Sequence, residues 1–197
     1  IVIDINTEIP SRNRHFIFNE LSPVDKMVEA INKLKLVGCN TVYIPCNSAS
    51  YFIDEIKNKL VKRDVEVIGT IKPTLKHIIS TYSKKNKNRK RVLVLGAHIV
   101  YHKEPYKEEL EKNGFVYIKH DKDSQDSVEG LIYKIKKYSF LEKTLEEASN
   151  LIDSLICIYQ VDILVLACTE LCIVVDKLHI PQVDVIDSNN LLAKYLL

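Results

Sequence analysis

The sequence predicts an α/β protein built from mostly parallel sheets flanked by helices. Three observations carry that reading. Apolar strand-like runs alternate with helix-like stretches along the 197 residues, the pattern that yields parallel sheets with both faces covered. The strongest runs, "VLVLG" and "DILVLAC", are continuous rather than alternating, as strands buried on both faces require. The alternation also stops once, at a polar stretch, and then restarts.

The elements follow in order. "IVIDI", residues 1–5, reads as a strand. Ser22-Pro23-Val24-Asp25 opens a helix, with a serine cap, proline at the first helical position and an acid in the first turn. Its apolar positions Met27, Ala30, Ile31 and Leu34 run on to Gly38, a suitable stop. "TVYIP" is a strand, followed by a helix from about Ser48 to Val61 with Phe52, Ile53, Ile56 and Leu60 on one face. "VEVIG" is the next strand, and a helix runs through Leu75, Ile78 and Ile79. Residues 83–91, "SKKNKNRKR", carry charge without periodicity and read as an exposed connection; a solvated charge run outweighs an RNA or anion patch there. Then come the strand "VLVLG", a helix from Glu104 to Asn113 ended by Gly114, and the strand "FVYI". Helices follow over Ser124–Tyr138 and Leu141–Tyr159, then the strand "DILVLAC", a helix from about Glu170, the strand "VDVI" and a last helix from Ser188.

Composition narrows the function classes. A net charge of +2 argues against a nucleic-acid binder with a dominant basic face. No apolar run approaches the ~20 residues of a membrane span, so no membrane partner is expected. No secretory signal is visible, and five cysteines, an odd number, point to free thiols in a reducing, cytoplasmic setting.

Two of those thiols stand in matched contexts. "TVYIPCNSAS" and "DILVLACTEL" each run from a buried strand to a cysteine and then to a small polar residue that can cap a helix. Open parallel sheets bind ligands beyond the carboxyl ends of their strands. Cys46 and Cys168 therefore sit where each sheet would meet a ligand, and facing lobes would put both thiols on one cleft. A helix N-terminus favours the thiolate, and Asn47 and Thr169 with their neighbouring N–H groups suit a carboxylate. One thiol can remove a proton from carbon while the other returns a proton to the opposite face, which inverts the centre. The plainer reading is packing, because cysteine is among the most buried residue types; the matched pair favours function. Cys39, Cys157 and Cys172 read as core residues.

"PCNSAS" resembles the Pro-Cys-Asn-Thr-Ala motif of the aspartate/glutamate racemase superfamily, and "ACTEL" resembles its Gly-Cys-Thr-Glu-Leu motif, the form typical of aspartate racemases. "IPSRNR", "IYKIKK" and "VDVIDSNNLLAKYL" are similar to further segments of that superfamily. The resemblance implies two pseudo-symmetric lobes, residues 1–83 with 182–197 and residues 92–181, joined by 84–91. It implies cofactor-independent racemisation of an acidic amino acid, most of all aspartate, in a homodimer. Cys46 and Cys168 would be the acid/base pair, with Arg12, Asn47, Ser48, Lys136, Thr169 and Glu170 binding substrate. A guanidinium suits bidentate carboxylate recognition.

There are departures. The superfamily opens with a strand leading to a Gly-rich loop, a unit expected to be missing before Ile1. Ala167 replaces glycine, and its side chain would crowd the approach. Ser48 replaces threonine, Ser50 stands where aspartate racemases often carry histidine, and His98 and His102 occupy a segment usually rich in threonine. Rival readings are a glutamate or broad-specificity racemase, a maleate isomerase or hydantoin racemase, and a non-catalytic sensor of acidic amino acids. Zinc is disfavoured: Cys168, Cys172 and His179 lack a fourth ligand.

Overall fold

The computed structural model describes residues 1–60, 64–83, 89–138, 141–178, 180 and 182–196. The first half runs α1 (Arg12–Phe18), α2 (Val24–Leu36), β1 (Thr41–Ile44), α3 (Asn47–Ser50), α4 (Ile53–Lys59), β2 (Glu66–Gly69) and α5 (Ile71–Tyr82). The second runs β3 (Arg91–Gly96), α6 (His98–Lys103), α7 (Lys107–Lys112), β4 (Val116–Ile118), α8 (Lys122–Tyr138), α9 (Glu142–Tyr159), β5 (Ile163–Ala167), α10 (Thr169–Cys172), β6 (Asp184–Asp187) and α11 (Ser188–Tyr195).

Every strand pair is parallel. β1 and β2 form a two-stranded sheet, and the larger sheet has the order β4-β3-β5-β6. The apolar runs now have their physical reason. Val92, Val94, Ile163 and Val165 pack on one face, in a core shared with α2, α4, α5 and the small sheet. Leu93, Leu95, Leu164 and Leu166 pack on the other, beneath α8 and α9. Successive side chains of a strand point to opposite faces, so burial on both sides demands an apolar residue at every position.

Several expectations need correction. Residues 1–5 form no strand, and Ile1, Ile3 and Ile5 are exposed. β-propensity makes a strand only where a neighbour supplies the ladder, and none pairs with this segment. The helix expected from Ser48 begins at Asn47 and breaks after Ser50. The Ser50 hydroxyl bonds back to the Cys46 carbonyl at 2.8 Å, the local competition that small hydroxyl residues offer a helix. Val61, its expected end, lies outside the described residues, as do 84–88 of the connection and His179. α1 and α6 were not anticipated. α10 is one turn that starts at Thr169, followed by a 3-10 turn at Val175–Lys177. The closing segment is divided: β6 joins the larger sheet beside β5, not the first lobe, while α11 packs on α5. Cys157 is exposed rather than in the core, and Cys39 and Cys172 are half-buried.

Candidate active site

β1 and β5 end alike. Cys46 and Cys168 each have extended backbone (φ −149° and −153°) and each caps a one-turn helix. The chain leaves its sheet, turns at the cysteine and presents the thiol at the carboxyl edge, where ligands bind in such sheets. Both thiols line a single cavity of about 100 Å³. Arg12 and Asn13 reach it from α1, Asn47 and Ser48 from α3, and Lys136 from α8. Thr169 and Glu170 complete it. All eight residues expected at the site therefore meet in one place. Hollows of about 450 and 740 Å³ lie elsewhere on the small-sheet half, but neither holds either thiol.

The two sulfurs face opposite partners. Arg12 Nη2 lies 3.9 Å from Cys46 Sγ. Cys168 Sγ donates to Glu170 Oε2 at 2.8 Å, and the Thr169 hydroxyl donates to the same oxygen at 2.8 Å. Lys136 Nζ lies 3.5 Å from Glu170 Oε1. Burial pushes the Cys168 thiol well above its ordinary range, and the charge and hydrogen bond of Glu170 push it further. Burial works against the charge on Glu170, but hydrogen bonds from Cys168 and Thr169 and the Lys136 ammonium outweigh it and hold the carboxyl below its usual range. Cys168 is thus kept as a proton-bearing thiol first by burial and then by the Glu170 carboxylate. α3 and α10 have four residues each, so the thiols gain local N–H groups and not the macrodipole of a long helix.

This arrangement has a testable sign. In Glu170→Gln the negative charge beside Cys168 is gone, its thiol titrates lower, and alkylation of Cys168 by iodoacetamide at pH 8 speeds several-fold, read by peptide mass spectrometry. Burial, the largest cause, remains, so the rate stays below that of a free thiol. An unchanged rate would remove Glu170 from the account.

Asn47 lines the cavity and also makes buried bonds of its own. It is 2 % exposed, and its side chain is bonded at both ends: Oδ1 accepts from the Tyr106 hydroxyl at 2.5 Å and Nδ2 donates to Ser188 Oγ at 2.9 Å. Ser188 donates in turn to the Leu166 carbonyl at 2.9 Å. Asn47 therefore ties the Cys46 turn to the larger sheet two residues before Cys168. Tyr106, wholly buried, was missed in the sequence because nothing local links it to Asn47. Asn13 was missed as well, although "IPSRNR" contains it.

The other departures resolve simply. Ala167 pairs in register with Gly96, where an added Cβ would lie 3.0 Å from the Ala167 carbonyl oxygen and from Val100. The glycine that permits the close approach sits on the neighbouring strand. Ser50 is buried, bonds Thr70 N–H at 3.0 Å, and stands where a Cβ on Gly69 would lie 2.3 Å from its Oγ; a histidine would not fit. His98 and His102 stack at 5.8 Å on α6 and are not among the residues lining the cavity, although Ala97 beside His98 is. Among the described residues, no group of three His, Cys, Asp or Glu is placed to hold a metal ion, and no helix is long and apolar enough to cross a membrane.

The fold and the cleft define an α/β protein of two parallel sheets with a pair of strand-exit thiols on one cavity. A family model described as Asp/Glu/Hydantoin racemase matches residues 2–196, and the chain belongs to that family, whose members are isomerases. It is 27% identical over 168 residues to the broad specificity amino-acid racemase RacX of Bacillus subtilis (strain 168), covering 85% of this chain and 68% of that protein. Its structure is similar to the aspartate racemase of Picrophilus torridus, with a TM-score of 0.79 and 25% identity over 97% of this chain and 75% of that one. Glutamate racemase from Francisella tularensis, solved in complex with D-glutamate, shares the fold at a TM-score of 0.67 and 15% identity, over 98% of this chain and 66% of that one.

Proposed function

We propose that the protein racemises an acidic amino acid, aspartate before others, without pyridoxal phosphate, using Cys46 and Cys168 as its two acid/base groups. The observation that carries this is the single cavity with both strand-exit thiols and two cations, Arg12 and Lys136, on its wall. The cations hold the substrate carboxylates; charge-assisted contacts of this kind fix both place and orientation. Cys46, with a guanidinium beside it, takes the α-proton. Cys168, whose proton is held by Glu170, supplies one to the opposite face of the planar carbanion. For the other enantiomer the roles reverse.

Aspartate leads because "ACTEL" has the aspartate-racemase form, and because the chain is similar to the Picrophilus torridus aspartate racemase at 25% identity and a TM-score of 0.79. Broad specificity is the second reading, favoured by the likeness to RacX.

The test is proton NMR in D2O with L- and D-aspartate and L- and D-glutamate, no cofactor added. The expected result is loss of the α-proton signal from both aspartate enantiomers, with the opposite enantiomer appearing on chiral chromatography. Comparable exchange of several amino acids would favour the second reading. No exchange from any of the four sinks the proposal.

A further inference from the structure

Of the three lysines in the stretch "IYKIKK" on α8, only Lys136 lines the thiol cavity. Lys134 pairs with Glu147 of α9 at 2.9 Å, and Lys137 Nζ lies 5.0 Å from the Tyr138 ring centroid. Lys136 Nζ lies 3.5 Å from Glu170 Oε1. A substrate carboxylate is therefore not the only anion within its reach.

The Glu170 carboxylate is shared between two elements. Oε1 faces Lys136 of α8, while Oε2 accepts from Cys168 Sγ and Thr169 Oγ1, each at 2.8 Å. Both of those donors precede Glu170 in the chain, so its side chain folds back over the start of α10 and is only 18 % exposed. A glutamate side chain gives up considerable rotamer freedom to hold one place, and α10 is a single turn with no side-chain cap at Cys168. The ammonium from α8 anchors the far oxygen. Lys136 is 57 % exposed, and such a pair adds little to stability; its effect is to orient the carboxylate. The titratable groups acting on Glu170 are Cys168 on its own turn and Lys136 on α8. Arg12, the other cation of the cavity, lies 3.9 Å from Cys46 Sγ instead.

Resting on the racemase reading of the cleft, we infer that Lys136 is a positioning residue for Cys168 as well as a substrate anchor: by holding Glu170 Oε1 it keeps Oε2 on Cys168 Sγ. The consequence is one-sided. A cation that only grips substrate serves proton transfer by either thiol. One that also acts through Glu170 serves Cys168 and leaves Cys46 alone.

The first measurement needs no substrate. Protein labelled with 13C at the glutamate Cδ is titrated by NMR, with the Glu170 signal assigned by its absence in Glu170→Gln. A nearby cation favours the charged carboxylate, and so do the hydrogen bonds it keeps in place. Lys136→Met should therefore raise the Glu170 midpoint, and Lys136→Arg should hold it down. Thermal melts confirm that each variant folds. The second measurement follows α-proton exchange in D2O from each aspartate enantiomer. Lys136→Met should weaken binding of both. Its kcat should fall about tenfold further for the enantiomer that still exchanges in Cys46→Ser, the one served by Cys168, a part of the ~10²- to 10⁴-fold that a positioned acid or base contributes. Lys136→Arg should restore the rate for that enantiomer. A Glu170 midpoint unmoved in Lys136→Met overturns the inference. Equal losses for both enantiomers overturn it too and leave Lys136 as a substrate anchor alone. A wild type that exchanges no α-proton sinks the racemase reading, and the Glu170 titration then decides by itself whether Lys136 positions the carboxylate.

Discussion

Cys46→Ser and Cys168→Ser each lower racemisation by about 10²- to 10⁴-fold, the range a positioned acid or base contributes. A serine hydroxyl keeps the size and the hydrogen bond but is a far poorer acid and base near neutral pH. The informative feature is the asymmetry. The two thiols have unlike surroundings, Arg12 beside Cys46 and Glu170 on Cys168. Each variant should therefore fail differently with the two enantiomers in D2O. In Cys168→Ser, Cys46 still reaches one face, and slow α-proton exchange from one enantiomer persists without inversion. In Cys46→Ser the surviving exchange belongs to the other enantiomer. Racemisation at the wild-type rate in either variant would end the two-thiol mechanism.

Asn47→Ala costs stability and turnover together. The substitution strips the buried Tyr106 hydroxyl of its acceptor and Ser188 of its donor. Ser188 keeps its bond to the Leu166 carbonyl, and a buried hydroxyl that loses its acceptor costs about 1–3 kcal/mol, measurable by urea denaturation. The same change frees the turn that carries Cys46, and a reacting group misplaced by ~1 Å loses on the order of 10²-fold in rate. The expected signature is a lower kcat with a nearly unchanged KM. Tyr106→Phe should show the same pattern in weaker form. The double variant should be less damaging than the sum, with a coupling of about 0.5–3 kcal/mol as for residues in one network. A raised KM with full stability would return Asn47 to the role of substrate ligand.

Much of this protein was legible before any coordinates. Helix faces such as Met27, Ala30 and Ile31, the stop at Gly38 (φ +91°) and the doubly buried strands β3 and β5 follow from periodicity and local backbone preference. The matched cysteines were legible for the same reason, because strand, cap and short helix are consecutive in the chain. What misled was also local: "IVIDI" has the composition of a strand, but a strand is made by its neighbour.

By itself the sequence determined an α/β protein with parallel sheets, two strand-exit thiols and the set of charged residues around them. The strands and the strand-exit thiols are written within spans of about ten residues, where dihedral preference and apolar spacing act; Arg12 and Lys136 came from the resemblance to the racemase superfamily. Only the tertiary structure decided that Asn47 is a bridge, that Glu170 accepts from the Cys168 thiol in the first turn of α10, and that β6 lies beside β5. The Asn47–Ser188 bond joins residues 141 apart, and the Tyr106–Asn47 bond residues 59 apart. Contacts at such separations exist only after the two sheets have packed on their shared core, and no local pattern in the chain records them.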